Sequence, residues 1–166
     1  MSDVYVRTAR PEEFSAVGEL TVTAYRVNGY LEQEDGRRYS RSLQDAARRA
    51  EHGQLLVAVD GEGTLLGTAT LVGPDSALAE MCVDGEAELR MLAVAPHARG
   101  RGVGETLTTA VLDLARERGA TRVVLCTLAE MTRAHRLYER LGFTRVPSRD
   151  WYTDAGRLLM AYAKDL

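Results

Sequence analysis

Apolar and polar residues alternate from the start of the chain. Val4, Val6 and Thr8 interleave with Tyr5 and Arg7, the period of a half-buried strand. Pro11 then opens a helix with Glu12 and Glu13 in its first turn, where the helix dipole favours acids. Phe14, Val17, Thr21 and Ala24 form its inward stripe. Residues 25–40 read as polar and irregular, and a second helix is predicted over 42–52, ended by Gly53. Apolar runs at 55–59 and 65–72 flank Asp60-Gly61-Glu62-Gly63, a hairpin signal. Residues 73–85 make a longer excursion, beginning Gly73-Pro74. A strand over 86–94 follows and stops at Pro96. Strict alternation there puts Leu89, Met91 and Ala93 on one face and Glu88, Arg90, Leu92 and Val94 on the other.

The second half is more regular. Val103, Leu107, Ala110, Val111 and Leu114 recur at helical spacing over 102–118, and Gly119 caps the end. Residues 123–126 form a buried strand. Ala134, Leu137, Tyr138 and Leu141 make the stripe of another helix, closed by Gly142-Phe143, and a last strand falls at 158–163. The order βααββ followed by βαβαβ predicts an α/β fold with a mixed sheet.

Length and composition narrow the function. A chain of 166 residues suits a single domain over 1–166, and 45% hydrophobic with 27% charged residues suits an ordinary globular protein. The net charge of −3 argues against nucleic acid as a partner, although 20 of the 21 basic residues are arginine. No apolar run reaches the roughly 18 residues of a membrane span. The first residues, from Met1 to Arg7, lack a signal-peptide pattern, so the cytoplasm is the expected compartment. Cys82, Cys126, His52, His97 and His135 show no metal-ligand spacing, and no metal is expected.

The chemistry concentrates in Arg99-Gly100-Arg101-Gly102-Val103-Gly104, between a strand and an amphipathic helix. Glycines there let the backbone turn tightly and approach a ligand, and the free amides of the helix start attract an anion such as a diphosphate. The spacing is wrong for a dinucleotide fold, and the Lys-Ser/Thr of a Walker loop is absent.

Two motifs in order resemble the GNAT superfamily of N-acetyltransferases. Its acyl-CoA loop, Gln/Arg-x-x-Gly-x-Gly/Ala, is matched by Arg99, Gly102 and Gly104, and its Ala-x-x-Leu-Tyr-x-x-x-Gly-Phe by Ala134, Leu137, Tyr138, Gly142 and Phe143. The resemblance implies a mixed, mostly antiparallel sheet whose fourth and fifth strands splay apart, flanked by about four helices. It implies acetyl-CoA as co-substrate. Main-chain groups of Leu92, Ala93 and Val94 would hold the pantetheine arm. Amides of Gly100, Arg101, Gly102, Val103, Gly104 and Glu105 would hold the diphosphate, with Arg99 and Arg101 adding charge. Many relatives carry asparagine where this chain has Met131, so the resemblance implies that one amide contact is absent here or supplied by Thr132 or main chain. Tyr138 is the candidate general acid for the departing thiolate, and Glu88 is the candidate base for the attacking amine.

The implied activity is acetyl transfer to a primary amine of a small molecule or peptide. Residues 73–88 hold Asp75, Glu80, Asp84, Glu86 and Glu88 and no basic residue, which favours a cationic acceptor. Residues 25–40 balance Glu32, Glu34 and Asp35 against Arg26, Arg37 and Arg38. Two other readings stay open at this point: a CoA-binding module without turnover, and an acyltransferase with another acyl donor or a hydroxyl acceptor. A homodimer is compatible with the resemblance.

Overall fold

The computed structural model describes residues 3–32 and 36–166. Met1 and Ser2, and residues 33–35 with Glu34 and Asp35 of the balanced segment, lie outside it.

Strand β1 (Tyr5–Thr8) runs into a short 3-10 turn at Pro11–Glu13 and then helix α1 (Phe14–Val27). Arg7 fixes this entry through a two-pronged bond to Glu13, with contacts of 2.8 and 2.9 Å. Its side-chain hydrogen bond holds the Glu13 carboxyl down to about 2. Helix α2 (Gly36–Gln44) falls in the stretch read as irregular, and α3 (Ala46–His52) follows after a break. The predicted single helix over 42–52 is therefore two. Asp45 causes the break: its carboxylate accepts the Arg48 amide at 3.1 Å and starts α3. Arg49, 2% exposed, turns back to close the end of α2, donating to the carbonyls of Ser42 (3.0 Å) and Leu43 (2.8 Å).

Strands β2 (Gln54–Val59), β3 (Leu65–Val72) and β4 (Glu86–Val94) continue an antiparallel meander from β1. Helix α4 (Val103–Glu117), β5 (Arg122–Leu128), α5 (Thr132–Arg140), β6 (Thr144–Arg145), β7 (Trp151–Tyr152) and β8 (Leu158–Asp165) complete the order. The sheet runs β1-β2-β3-β4-β5-β8-β6, with β7 paired on β8. Among the described residues, only β4 and β5 are parallel. The described residues hold five α-helices where about four were expected.

Alternation along β2 sorts the core into two layers. Leu56 and Ala58 pack with Leu107 and Val111 of α4, while Leu55, Val57 and Val59 pack with Val17 and Ala46 of α1 and α3. Each fully buried leucine or valine contributes about 1.5–3 kcal/mol, which makes these stripes the main reason the helices form where they do. Among the described residues, no helix is long and apolar enough to cross a membrane.

Candidate active site

Strands β4 and β5 pair through only three rungs: Glu86 with Arg122, Ala87 with Val123, and Glu88 with Val124. Beyond Glu88 they part, leaving the β5-facing edge of β4 without a strand partner. A bulge marks the parting. Thr70 of β3 faces Arg90 and Thr68 faces Ala93, so β4 carries one extra residue, and Met91 adopts a φ of 53°. The fork opens a cleft of about 540 Å³.

The bulge corrects the facing expected from strict alternation. Ala87, Leu89, Leu92 and Val94 turn to the α4 side, whereas Met91 and Ala93 join Val22 and Tyr25 of α1. Ala93 shares the face of Glu88 and Arg90, as their register on Thr68, Thr70 and Val72 requires. Glu88 is thus on the opposite face from Leu92 and Val94, not on their face. The parting strands let both faces reach the cleft, and Glu88, Leu92, Ala93 and Val94 all line it.

The glycine turn lies at one end. Gly100 (φ 81°) and Gly102 (φ 73°) are left-handed, and Gly102 precedes the first residue of α4. A carbon added to Gly102 would meet no atom within 4 Å, so the space before the helix is open. Thr106 is the first α4 amide to bond back, donating to the Gly102 carbonyl at 3.0 Å. The amides of Val103, Gly104 and Glu105 therefore stay open towards an anion. Gly104 is needed for a different reason: a Cβ there would sit 3.2 Å from Leu137 and 3.7 Å from Val94.

The charged side chains of this end divide. Arg99 lines the cleft and donates to Asn28 at 2.8 Å. Arg101 does not: its side chain turns to the other flank of α4, beside Val6 and Thr109, and pairs with Asp3 at 2.6 Å. Its expected charge is spent there. Glu105 lines the rim, and its acid is met by Arg140 at 3.4 Å.

Helix α5 brings Tyr138 to the middle of the cleft. Its ring is wedged against Phe143 (5.6 Å) and Tyr162 (6.3 Å). Its hydroxyl has no hydrogen-bond partner among the described residues. Burial, with a lesser push from Cys126, raises its pKa above the ordinary phenol value, so it stays protonated.

Glu88 is 1% exposed and holds the preceding loop. Its Oε1 accepts the backbone N–H groups of Glu80 (3.0 Å), Met81 (2.9 Å) and Cys82 (3.1 Å), while Oε2 is buried without a partner. Five further residues line the cleft around it that the sequence did not single out: Tyr25, Tyr30, Tyr39, Arg90 and Cys126. A signal was present for the tyrosines, since three of the seven in the chain fall between positions 25 and 39. Burial pushes the Cys126 thiol up to about 12.

The expected acidic mouth does not form. Glu80 is met by Arg90 at 3.0 Å, and Glu86 by Arg149 at 2.8 Å and Arg122 at 3.7 Å. The basic partners come from outside residues 73–88, which is why the local count misled.

Similarity to known proteins agrees with this architecture. A mycothiol acetyltransferase of Beutenbergia cavernae is 45% identical over 91 residues, 55% of this chain and 28% of that protein. The N-alpha-acetyltransferase 30 of Schizosaccharomyces pombe is 44% identical over 57 residues, 34% of this chain and 38% of that protein. The chain thus spans well under half of the curated relatives it matches. A solved structure from Corynebacterium glutamicum, described as histone acetyltransferase HPA2 and related acetyltransferase, is 27% identical with a TM-score of 0.76, covering 99% of this chain and 97% of that one. The PaiA N-acetyltransferase of Thermoplasma acidophilum, solved with coenzyme A, shares the fold at 19% identity and a TM-score of 0.74, over all of both chains. The sequence pattern of the acetyltransferase (GNAT) family matches residues 15–143, and the chain belongs to that family.

Proposed function

We propose that the protein moves the acetyl group of acetyl-CoA to a primary amine of a small molecule or peptide, by direct attack while both occupy the cleft. The observation that carries this reading is Tyr138, whose ring is buried and whose hydroxyl opens on the cleft with no hydrogen-bond partner among the described residues, in the same cleft as the open amides of α4. A hydroxyl held free of protein partners on the wall of the cleft is available to a bound ligand.

The residues present fit acetyl-CoA. The turn from Gly100 to Glu105 offers amides and an open approach for the diphosphate, with Arg99 beside it. Arg101 contributes its backbone alone. The unpaired edge of β4 at Leu92 to Val94 offers main-chain groups to the pantetheine arm, between apolar walls that include Leu125 and Leu137. Acetyl-CoA supplies the activated carbonyl and a thiol leaving group. Glu88 takes the amine's proton at Oε2, directly or through one water. Tyr138 donates a hydrogen bond to the departing sulfur. An ordinary phenol at about 10 and a thiol at about 8.5 make full proton transfer uphill by about 2 kcal/mol. Burial raises the Tyr138 value further, so stabilisation by the hydrogen bond is its main contribution.

The test has two arms. Acetyl-CoA at 100 times its dissociation constant adds about 2.7 kcal/mol, a rise of roughly 5–10 °C in melting temperature for a chain of this size. Tyr138→Phe should keep that rise and release CoA at least about tenfold more slowly with a good amine. No rise at millimolar acetyl-CoA overturns the reading. A rise with no CoA release from any amine leaves a binding module instead.

A further inference from the structure

The wall of the cleft facing Glu88 is aromatic. Tyr25 ends the buried face of α1, Tyr30 follows in the next turn, and α2 brings in Tyr39. The Tyr25 ring meets Tyr30 edge-on at 5.9 Å and 80°, and Tyr39 at 5.8 Å and 66°. All three line the cleft shared by Glu88 and Tyr138. Met131 packs against the same cluster, so the position where the family motif often has asparagine adds apolar surface here.

Among the described residues, the carboxylates at this end already have partners. Two carboxylates line it, Glu80 and Glu88. Glu80 is taken by Arg90, and Oε1 of Glu88 by three amides. One unpartnered oxygen remains, the buried Oε2 of Glu88. A single amine finds an acceptor for its proton there. A second ammonium would meet the Arg90 guanidinium and phenol rings, with no further carboxylate at this end among the described residues that line the cleft. A sugar amine would press several hydroxyls against apolar surface without partners. An aromatic body instead stacks on the tyrosines, and its burial lowers the pKa of the attached amine, which favours the neutral form that must attack.

We infer that the acceptor is an arylalkylamine: one primary amine on an aromatic body seated against Tyr25, Tyr30 and Tyr39. This rests on the acetyl-transfer reading above.

The experiment measures CoA release from acetyl-CoA with 2-phenylethylamine, putrescine, spermidine and glucosamine. Alongside it, the melting temperature of the CoA-saturated protein is followed with each amine. The expected result is a kcat/KM for 2-phenylethylamine at least about tenfold above the others, and a further melting rise with that amine alone. Tyr30→Ala should lower that kcat/KM about tenfold through KM while leaving the acetyl-CoA melting rise intact. A diamine, polyamine or amino sugar ranking first overturns the inference, as does a Tyr30→Ala variant with unchanged KM. The acetyl-CoA melting rise separates the two failures. If it is missing, the acetyl-transfer reading falls and this inference with it. If it is present and the ranking is wrong, the arylalkylamine assignment falls on its own; if it is present and no amine turns over, a binding module is left and both readings fall.

Discussion

The two oxygens of Glu88 meet different surroundings, and that allows its hold on the loop to be separated from its proposed role as base. Oε1 gathers three amides of the 80–82 loop, and Oε2 is buried without a partner. Glu88→Gln keeps a carbonyl oxygen for the amides and removes the proton acceptor. It should melt within a few degrees of the parent, keep the acetyl-CoA rise, and lose about a hundredfold in kcat/KM. Glu88→Ala takes the acceptor from three part-buried amides, at up to about 1 kcal/mol each, and should be less stable than the Gln variant. A Gln variant with full turnover would leave Glu88 as a loop anchor only. Alternation singled out Glu88 from the sequence but put it on the wrong face of β4. Neither glycine nor proline marks the bulge at Met91, so nothing in the local residue types announces the extra residue.

At the scale of elements, the start of α4 was the most legible part of the chain. Gly100 and Gly102 both take positive φ, and the helix begins where the motif put it. Two substitutions at Gly102 separate its backbone conformation from the space beside it. Gly102→Ala places its Cβ in open space but strains a left-handed residue, at a cost of about 1–2 kcal/mol, and should leave the acetyl-CoA melting rise intact. Gly102→Asp should abolish that rise, because a carboxylate would stand in the proposed diphosphate site. An aspartate variant that responds to acetyl-CoA like the parent would move the diphosphate site elsewhere. Helix α2 was the least legible element. Its apolar stripe is thin, Tyr39 and Leu43 one turn apart, and its closure depends on Arg49, one of 20 arginines that look alike in the sequence. A side chain that works by filling a helix end from another helix leaves no periodic trace.

For the whole molecule, the order of strands was readable because each long run had the right period and a turn signal beside it. The two-residue strands β6 and β7 were not, since a pair of residues carries no period. Nor was the identity of the acceptor wall, which depends on which distant side chains converge. The three-rung join between β4 and β5 has one more consequence. It divides the hydrogen-bonded sheet into a meander, β1 to β4, and a smaller unit of β5, β8, β6 and β7, stapled at the closed end where Glu86 of β4 takes Arg149 and Arg122. Few bonds cross that line, so the two units should open as separate cooperative blocks. In native-state hydrogen exchange, amides of β5 and β8 should open at a lower free energy than those of β2 and β3, and bound acetyl-CoA, bridging the fork, should draw the two values together. One common value in the free protein would mean that α4, lying across both units, already couples them as tightly as a continuous ladder would.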